Sequence, residues 1–198
     1  MKISYLLVFV ILCSAFVIPR PPQEDRSLLL TQLKETKANL LKEVAGLSEE
    51  QLKYKPAPDR WSVIECVEHI YRTEGGLFAW EQQLVSAPAD ASKRSLIKLT
   101  DEQIIAGVED RSKKAKAPEE FVPAGGQTSQ QIIAGFVARR DSLINYVMNS
   151  KDDLRNHVVE QSPLGPIDAY QLLLLDAAHT NRHTQQLVEV KNSAGFPK

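Results

Sequence analysis

Apolar residues in this chain recur every three or four positions through four separate stretches. That period suits α-helices that bury one stripe against each other. From Asp25 to Leu47 the stripe is Leu29, Leu33, Leu40, Val44 and Leu47, with Asp25 as the expected N-cap. Ser48 then begins a short helical turn that Pro56 and Pro58 stop. From Ser62 to Ser86 the stripe is Val63, Val67, Ile70, Tyr71, Leu77, Phe78, Leu84 and Val85. Ser62 and Glu65 fit a capping box, in which each side chain satisfies a backbone N–H that the helix leaves unpaired. Gly75-Gly76 lies inside this helix and costs roughly 1 kcal/mol per glycine relative to alanine, so it predicts a close approach or a bend. Thr128 to Asn149 carries Ile132, Ile133, Phe136, Val137, Leu143, Ile144 and Val147, with Thr128 and Gln131 as another box. The last stretch runs from Asp168, its expected cap, to Lys191.

Almost nothing reads as strand. Four long helices and three connections predict an all-α fold, a four-helix bundle over residues 25–192. The connection from Ala87 to Gly126 holds Pro88, Pro118, Pro123 and Gly125-Gly126, plus a short helix predicted from Thr100 to about Lys114. It is long enough to serve as a crossover, which frees the helices from a simple up-and-down order. The loop from Ser150 to Ile167, with Pro163, Gly165 and Pro166, is expected to lack regular structure. A hydrophobic fraction of 43% with a net charge of −1 excludes a disordered chain. The same balance leaves no basic surplus for nucleic acid.

The first residues form a separate unit. Ile3 to Ile18 carries no charge, and 14 of its 16 residues are apolar. Lys2 precedes it and Arg20-Pro21-Pro22 follows, the layout of a signal peptide over residues 1–20. The run is shorter than the roughly 20 residues of a spanning helix, although an uncleaved N-terminal anchor remains the competing reading. Either way the expected location is extracytoplasmic: secreted, periplasmic or held to the membrane by the N-terminus alone. Removing residues 1–20 leaves 22 basic and 25 acidic residues, and Cys66 as the sole cysteine. The exported domain therefore has no internal disulfide, and its stability rests on packing, with or without a metal.

The chain has four histidines, His69, His157, His179 and His183. His179 and His183 stand four residues apart, which stacks both imidazoles on one helix face and lets two nitrogens reach one metal ion. Leu172, Leu175, Leu187 and Val190 share that side, so both rings point along the apolar stripe. An inward imidazole without partners loses roughly 1–3 kcal/mol, and a shared cation would offset that loss. His69, with Cys66 one turn before it, borders the stripe of the second helix. If the second and fourth helices face each other, His69 joins the pair as a third ligand. Gln186 and Asp176 are candidates to hold the imidazole tautomers from behind. Cys66 reads as a small core residue, with support of the site, a metal ligand or a thiol nucleophile as the alternatives. His157 reads as a surface residue or a support of the site, Trp61 and Trp80 as packing residues, and Arg182 as surface cover. There is no His-Glu-x-x-His, no Walker loop, no dinucleotide glycine fingerprint and no Gly-x-Ser-x-Gly elbow.

Arg60-Trp61-Ser62-Val63-Ile64-Glu65-Cys66-Val67-Glu68-His69-Ile70, Pro163-Leu164-Gly165-Pro166 and the segment His179 to Gln186 together resemble the DinB-like superfamily of bacterial metal-binding bundles, which includes the YfiT-like proteins. The likeness covers residues 25–191. It implies a bundle of unusual helix order and a divalent cation, zinc or nickel, on His69, His179 and His183. It also implies an enzyme of hydrolase or thiol-dependent transferase class that activates water or a thiol toward a small molecule. The leader points away from the cytosolic pool of small thiols, which leaves hydrolysis or plain metal binding. The competing class is a non-enzymatic exported bundle with a structural metal or a partner-binding role. A homodimer is compatible with either.

Overall fold

The computed structural model describes residues 25–198, so the expected leader and Cys13 lie outside the described residues. Its helices are α1 (Ser27–Val44), α2 (Glu49–Lys53), α3 (Val63–Val85), α4 (Asp101–Glu109), α5 (Ser129–Asn149) and α6 (Ala169–Lys191). Two 3-10 turns, Ala91–Leu96 and Glu119–Phe121, lie in the long connection. No helix among the described residues is long and apolar enough to cross a membrane.

Local capping chemistry sets most helix starts. Ser48 with Gln51, Ser62 with Glu65, Thr100 with Gln103 and Thr128 with Gln131 all form reciprocal capping boxes. Asp168 accepts a hydrogen bond from the Gln171 N–H at 2.8 Å. The start of α1 differs from expectation. Arg26 occupies the N-cap position with no side-chain capping bond, its guanidinium donating instead to the Val147 and Ser150 carbonyls at the end of α5, and Asp25 accepts from the Ser27 N–H just outside it. The predicted helix from Thr100 to Lys114 ends earlier, at Glu109. There the Asp110 carboxylate takes the N–H and hydroxyl of Ser112, a local turn that competes with helix.

The loop before α6 also departs from expectation. Val158–Val159 (β1) and Ile167–Asp168 (β2) pair antiparallel, Val158 opposite Asp168 and Val159 opposite Ile167. This short clip pins the start of α6. His157 is neither at the surface nor near the other histidines. It is 7% exposed, its ring bridging the Asp153 and Ala87 carbonyls at 2.6 and 2.8 Å. It therefore fastens this loop to the end of α3.

In the bundle α6 packs on α1, α3 and α4, and α5 packs on α1 and α3. The long helices thus stand in the ring order α1, α6, α3, α5, which differs from their order in the chain. The long α3–α5 connection carries α4 across the face of α6. Leu29, Leu33, Leu143, Val147, Tyr170 and Leu173 fill one end of the core. Leu40, Val63, Val67, Ile132, Phe136 and Leu187 fill the other. A polar layer lies within the bundle. The fully buried Arg140 donates to both oxygens of Glu74 (2.9 and 3.1 Å), to Thr36 Oγ1 (2.8 Å), to Thr180 Oγ1 (2.7 Å) and to the Leu33 carbonyl (3.1 Å). One guanidinium thereby ties all four long helices together.

Candidate metal centre

The ring order places α3 beside α6, and with it His69 beside His179 and His183. One ligand atom from each of the three lies within 4.8 Å of the other two. His69 Nε2 and His179 Nε2 are 3.2 Å apart, and the ring centroids are 4.4–5.0 Å apart. Two nitrogens bound to a common ion at 2.0–2.1 Å stand roughly 3–3.4 Å from each other, so this spacing fits a shared cation.

Partners on the far side of the rings set their orientation. His69 Nδ1 donates to the Phe121 carbonyl oxygen at 2.8 Å, which leaves its Nε2 with a free lone pair. His183 Nδ1 lies 2.8 Å from Gln186 Oε1. Arg111 also donates to that oxygen at 3.5 Å, and a guanidinium only donates, so the amide presents its oxygen and His183 carries the proton on Nδ1. Arg111 is itself held by two 2.8 Å bonds to the Glu189 carboxylate. His179 differs from the other two, because its Nδ1 is buried and has no hydrogen-bond partner.

Burial keeps all three imidazoles neutral. It lowers the pKa of His69 and pushes that of His183 down to about 3, where the neighbouring His69 adds to the effect. His179 is driven well down by burial and then by the other two rings. Neutral imidazoles are the form that binds a metal. The site nevertheless reaches solvent, since His179 is partly exposed and His183 is 9% exposed.

The segment around Phe121 was not legible as part of the site, because a backbone carbonyl leaves no residue-type signature. Gly76 was the available signal. Phe121 packs directly over it, so close that an added Cβ would lie 2.6 Å from the ring. Gly75 likewise admits the Arg139 guanidinium, and the pair leaves α3 uninterrupted. Glu68 accepts from the Ala124 and Gly125 N–H groups, and Arg72 donates to the Glu120 carbonyl. These contacts hold the same segment against α3. Trp61, expected as a packing residue, stands with its ring 4.7 Å from His69 and 6.1 Å from His183, and so forms a wall of the site.

The other candidates fall outside the cluster. Cys66 is fully buried and free, and burial pushes its thiol up to about 12, which marks an inert core residue. Asp176 is fully buried, and neither carboxyl oxygen has a hydrogen-bond partner. Burial, and then the nearby Glu74 carboxylate, raise its pKa well above the usual range. Arg182 donates to the Val108, Asp110 and Lys113 carbonyls and closes the end of α4.

Among proteins of known sequence, YuaE of Bacillus subtilis strain 168, named only as an uncharacterized protein, is 26% identical over 150 residues. That match covers 75% of this chain and 88% of YuaE. Among solved structures, YfiT from Bacillus subtilis superposes with a TM-score of 0.58 and 14% identity, over 90% of this chain and 95% of that one. YfiT is described as a probable metal-dependent hydrolase with an unusual four-helix bundle topology, and at this identity the likeness concerns the fold. The sequence pattern of the DinB superfamily matches residues 32–187, from the middle of α1 to the last turns of α6, and spans all three clustered histidines. With that span and this helix order, the chain belongs to the DinB superfamily.

Proposed function

We propose that this protein holds one divalent cation on His69, His179 and His183 and uses it to hydrolyse a small substrate outside the cytoplasm. The observation that carries this reading is the convergence of three neutral imidazoles from two helices, with ligand atoms within 4.8 Å of one another. Three histidine ligands suit zinc or nickel and leave coordination positions free for chemistry. A cation bound there would supply Lewis acidity and a water of lowered pKa.

The chain's own residues do the rest. The Phe121 carbonyl and Gln186 fix two of the rings so that their Nε2 atoms are free to bind. Trp61 offers an apolar wall beside His69 and His183. The partly exposed His179 marks the side open to solvent. Hydrolysis is favoured over thiol transfer because the apolar run at residues 3–18 reads as an export signal. The likeness to YfiT, described as a probable metal-dependent hydrolase, agrees with this reading.

The test is elemental analysis of the domain purified without chelators and then supplied with metal. Near-stoichiometric zinc or nickel that falls away in His183→Ala supports the site, and a metal-free wild type refutes it. A panel of esters and amides then separates the roles. Metal-dependent turnover supports the enzyme, whereas a large loss of melting temperature in His183→Ala without turnover of any substrate favours a structural metal.

A further inference from the structure

The charges around the metal centre do not balance. Glu189 on α6 accepts two 2.8 Å bonds from Arg111 and stands 3.8 Å from Arg60, so one carboxylate serves two guanidiniums. Arg182, next to His183 in the chain, gives its donors to the Val108, Asp110 and Lys113 carbonyls, which satisfy its hydrogen bonds and leave its charge uncancelled. Burial lowers the pKa of Arg182, and the like charge of the nearby Arg111 lowers it further. The second carboxylate here, Asp110, accepts from Ser112 and lies 3.8 Å from Lys113. Arg60, Arg111, Lys113 and Arg182 thus share Asp110 and Glu189, in a chain whose net charge is −1. Like charges crowded where the chain excludes water raise the local potential, and a bound anion would relieve it.

This surplus lies at the rim of the histidine cluster. Arg111 Nη1 reaches Gln186 Oε1, the oxygen that orients His183. Arg60 immediately precedes Trp61, whose ring walls the site beside His69 and His183. The Arg60 side chain is 51% exposed and makes no hydrogen bond among the described residues, Glu189 being beyond bonding reach. Its planar fork of N–H donors is open, in the geometry that pairs bidentately with a carboxylate. The segment over the site is basic too. It runs from α6, where Arg182 holds the Lys113 carbonyl, to α3, where the Phe121 carbonyl meets His69. It therefore crosses the seam in which the three histidines meet. Lys114 and Lys116 along it are exposed and make no hydrogen bond or ion pair among the described residues. Glu119 and Glu120 close its α3 end, beside Arg72.

We infer that the substrate of this site is a small carboxylic acid, whose carboxylate pairs with Arg60 while its hydrolysable bond faces the three histidines. This inference rests on the three-histidine reading. Arg111, fixed by Glu189, adds positive potential beside that pair, and Trp61 packs on the apolar atoms between the two ends. In the reaction water adds across an ester or amide bond, giving a second acid and an alcohol or amine. The carboxylate on Arg60 is unchanged throughout. Arg60 is then a specificity-determining residue that selects an acid over a neutral analogue of the same shape.

The experiment titrates glutarate and its neutral diamide, glutaramide, by calorimetry into wild type, Arg60→Gln, Arg60→Lys and a control, Lys34→Gln, at an exposed lysine of α1. Each protein is studied metal-free and zinc-loaded, and the metal-free titration isolates the arginines from any carboxylate bond to zinc. Wild type binds glutarate at least about tenfold more tightly than glutaramide, and raising the salt to about 0.5 M removes most of the difference. Arg60→Gln lowers the preference about tenfold, the loss of one hydrogen bond to a charged group, and Arg60→Lys restores only part of it for want of the fork. Zinc content and melting temperature of Arg60→Gln match wild type, since the side chain it replaces makes no hydrogen bond. Lys34→Gln keeps the wild-type preference. A preference for glutarate that survives undiminished in Arg60→Gln overturns the inference. So does equal binding of the two probes by wild type, a readout that needs no variant. Either result with normal zinc uptake leaves the metal reading intact and removes only the carboxylate assignment. A wild type that takes up no zinc overturns the three-histidine reading and the assignment of a substrate with it.

Discussion

A methyl group added at Gly76 would stand 2.6 Å from Phe121 Cε1 and Cζ. Carbon atoms in contact sit about 3.5–4.0 Å apart, so the ring has to move by roughly 1 Å. It cannot do so alone. The Phe121 carbonyl holds His69 Nδ1 at 2.8 Å, Arg72 holds the Glu120 carbonyl at 2.7 Å, and Glu68 holds the Ala124 N–H at 2.9 Å. Displacing the ring therefore strains the bond that orients His69. Gly76→Ala gains up to about 1 kcal/mol in helix propensity and loses about 1–3 kcal/mol to overpacking, a net change from neutral to about 3 kcal/mol destabilising. Loss of the carbonyl behind His69 weakens zinc binding by roughly 10–100-fold. The control is Gly107→Ala in α4, where an added Cβ meets nothing within 4 Å. That variant gains up to about 1 kcal/mol and keeps wild-type affinity. Calorimetric zinc titration and thermal melts of both variants check the pair. A Gly76→Ala protein that gains stability as Gly107→Ala does, with zinc affinity intact, would refute the claim that this close approach aligns the site.

Two further outcomes follow from buried charge. Arg140→Leu strands Glu74 without its guanidinium and should cost about 3–5 kcal/mol in urea unfolding; a loss below about 1 kcal/mol would show the tie to be dispensable. Glu81 is fully buried, and Tyr146 has a single hydroxyl proton to offer both Glu81 Oε1 at 2.8 Å and Asp152 Oδ2 at 2.7 Å. Burial raises the Glu81 pKa above its ordinary 4.5. Its contribution is therefore present at pH values below 4.5 and is lost as pH rises through the folded-state value. Glu81→Gln should melt higher than wild type at alkaline pH, and the gain should vanish in acid; an equal difference at both ends of the titration contradicts this assignment.

Features governed by local chemistry were legible in the sequence. Ser62, Thr100 and Thr128 each cap with a residue three positions on, so their helix starts are written in adjacent side chains. The spacing of His179 and His183 and the stripe they share fixed their common face. That His69 meets them depends on which helices are neighbours, and periodicity carries no information on that; the resemblance supplied the expectation. Contacts made by backbone were invisible. The Phe121 carbonyl, the two-residue β1–β2 pair and the carbonyls bridged by His157 depend on chain path rather than residue type. The early end of α4 was only half legible: the Asp110–Ser112 turn is local, whereas the Arg182 donors that take the Val108 and Asp110 carbonyls come from α6.

The clip at Ile167–Asp168 makes α6 a ruler. Its zero mark is the pairing with Val158–Val159, and His179 is read off eleven residues later, about 16 Å along the axis. One residue inserted between Leu172 and Ala178 would turn everything beyond it by about 100° and swing both late imidazoles off the face of α3. Length in this stretch is therefore as tightly constrained as the histidines themselves, and an insertion can be absorbed by the Ser150–Ile167 loop but not by the rod that follows it.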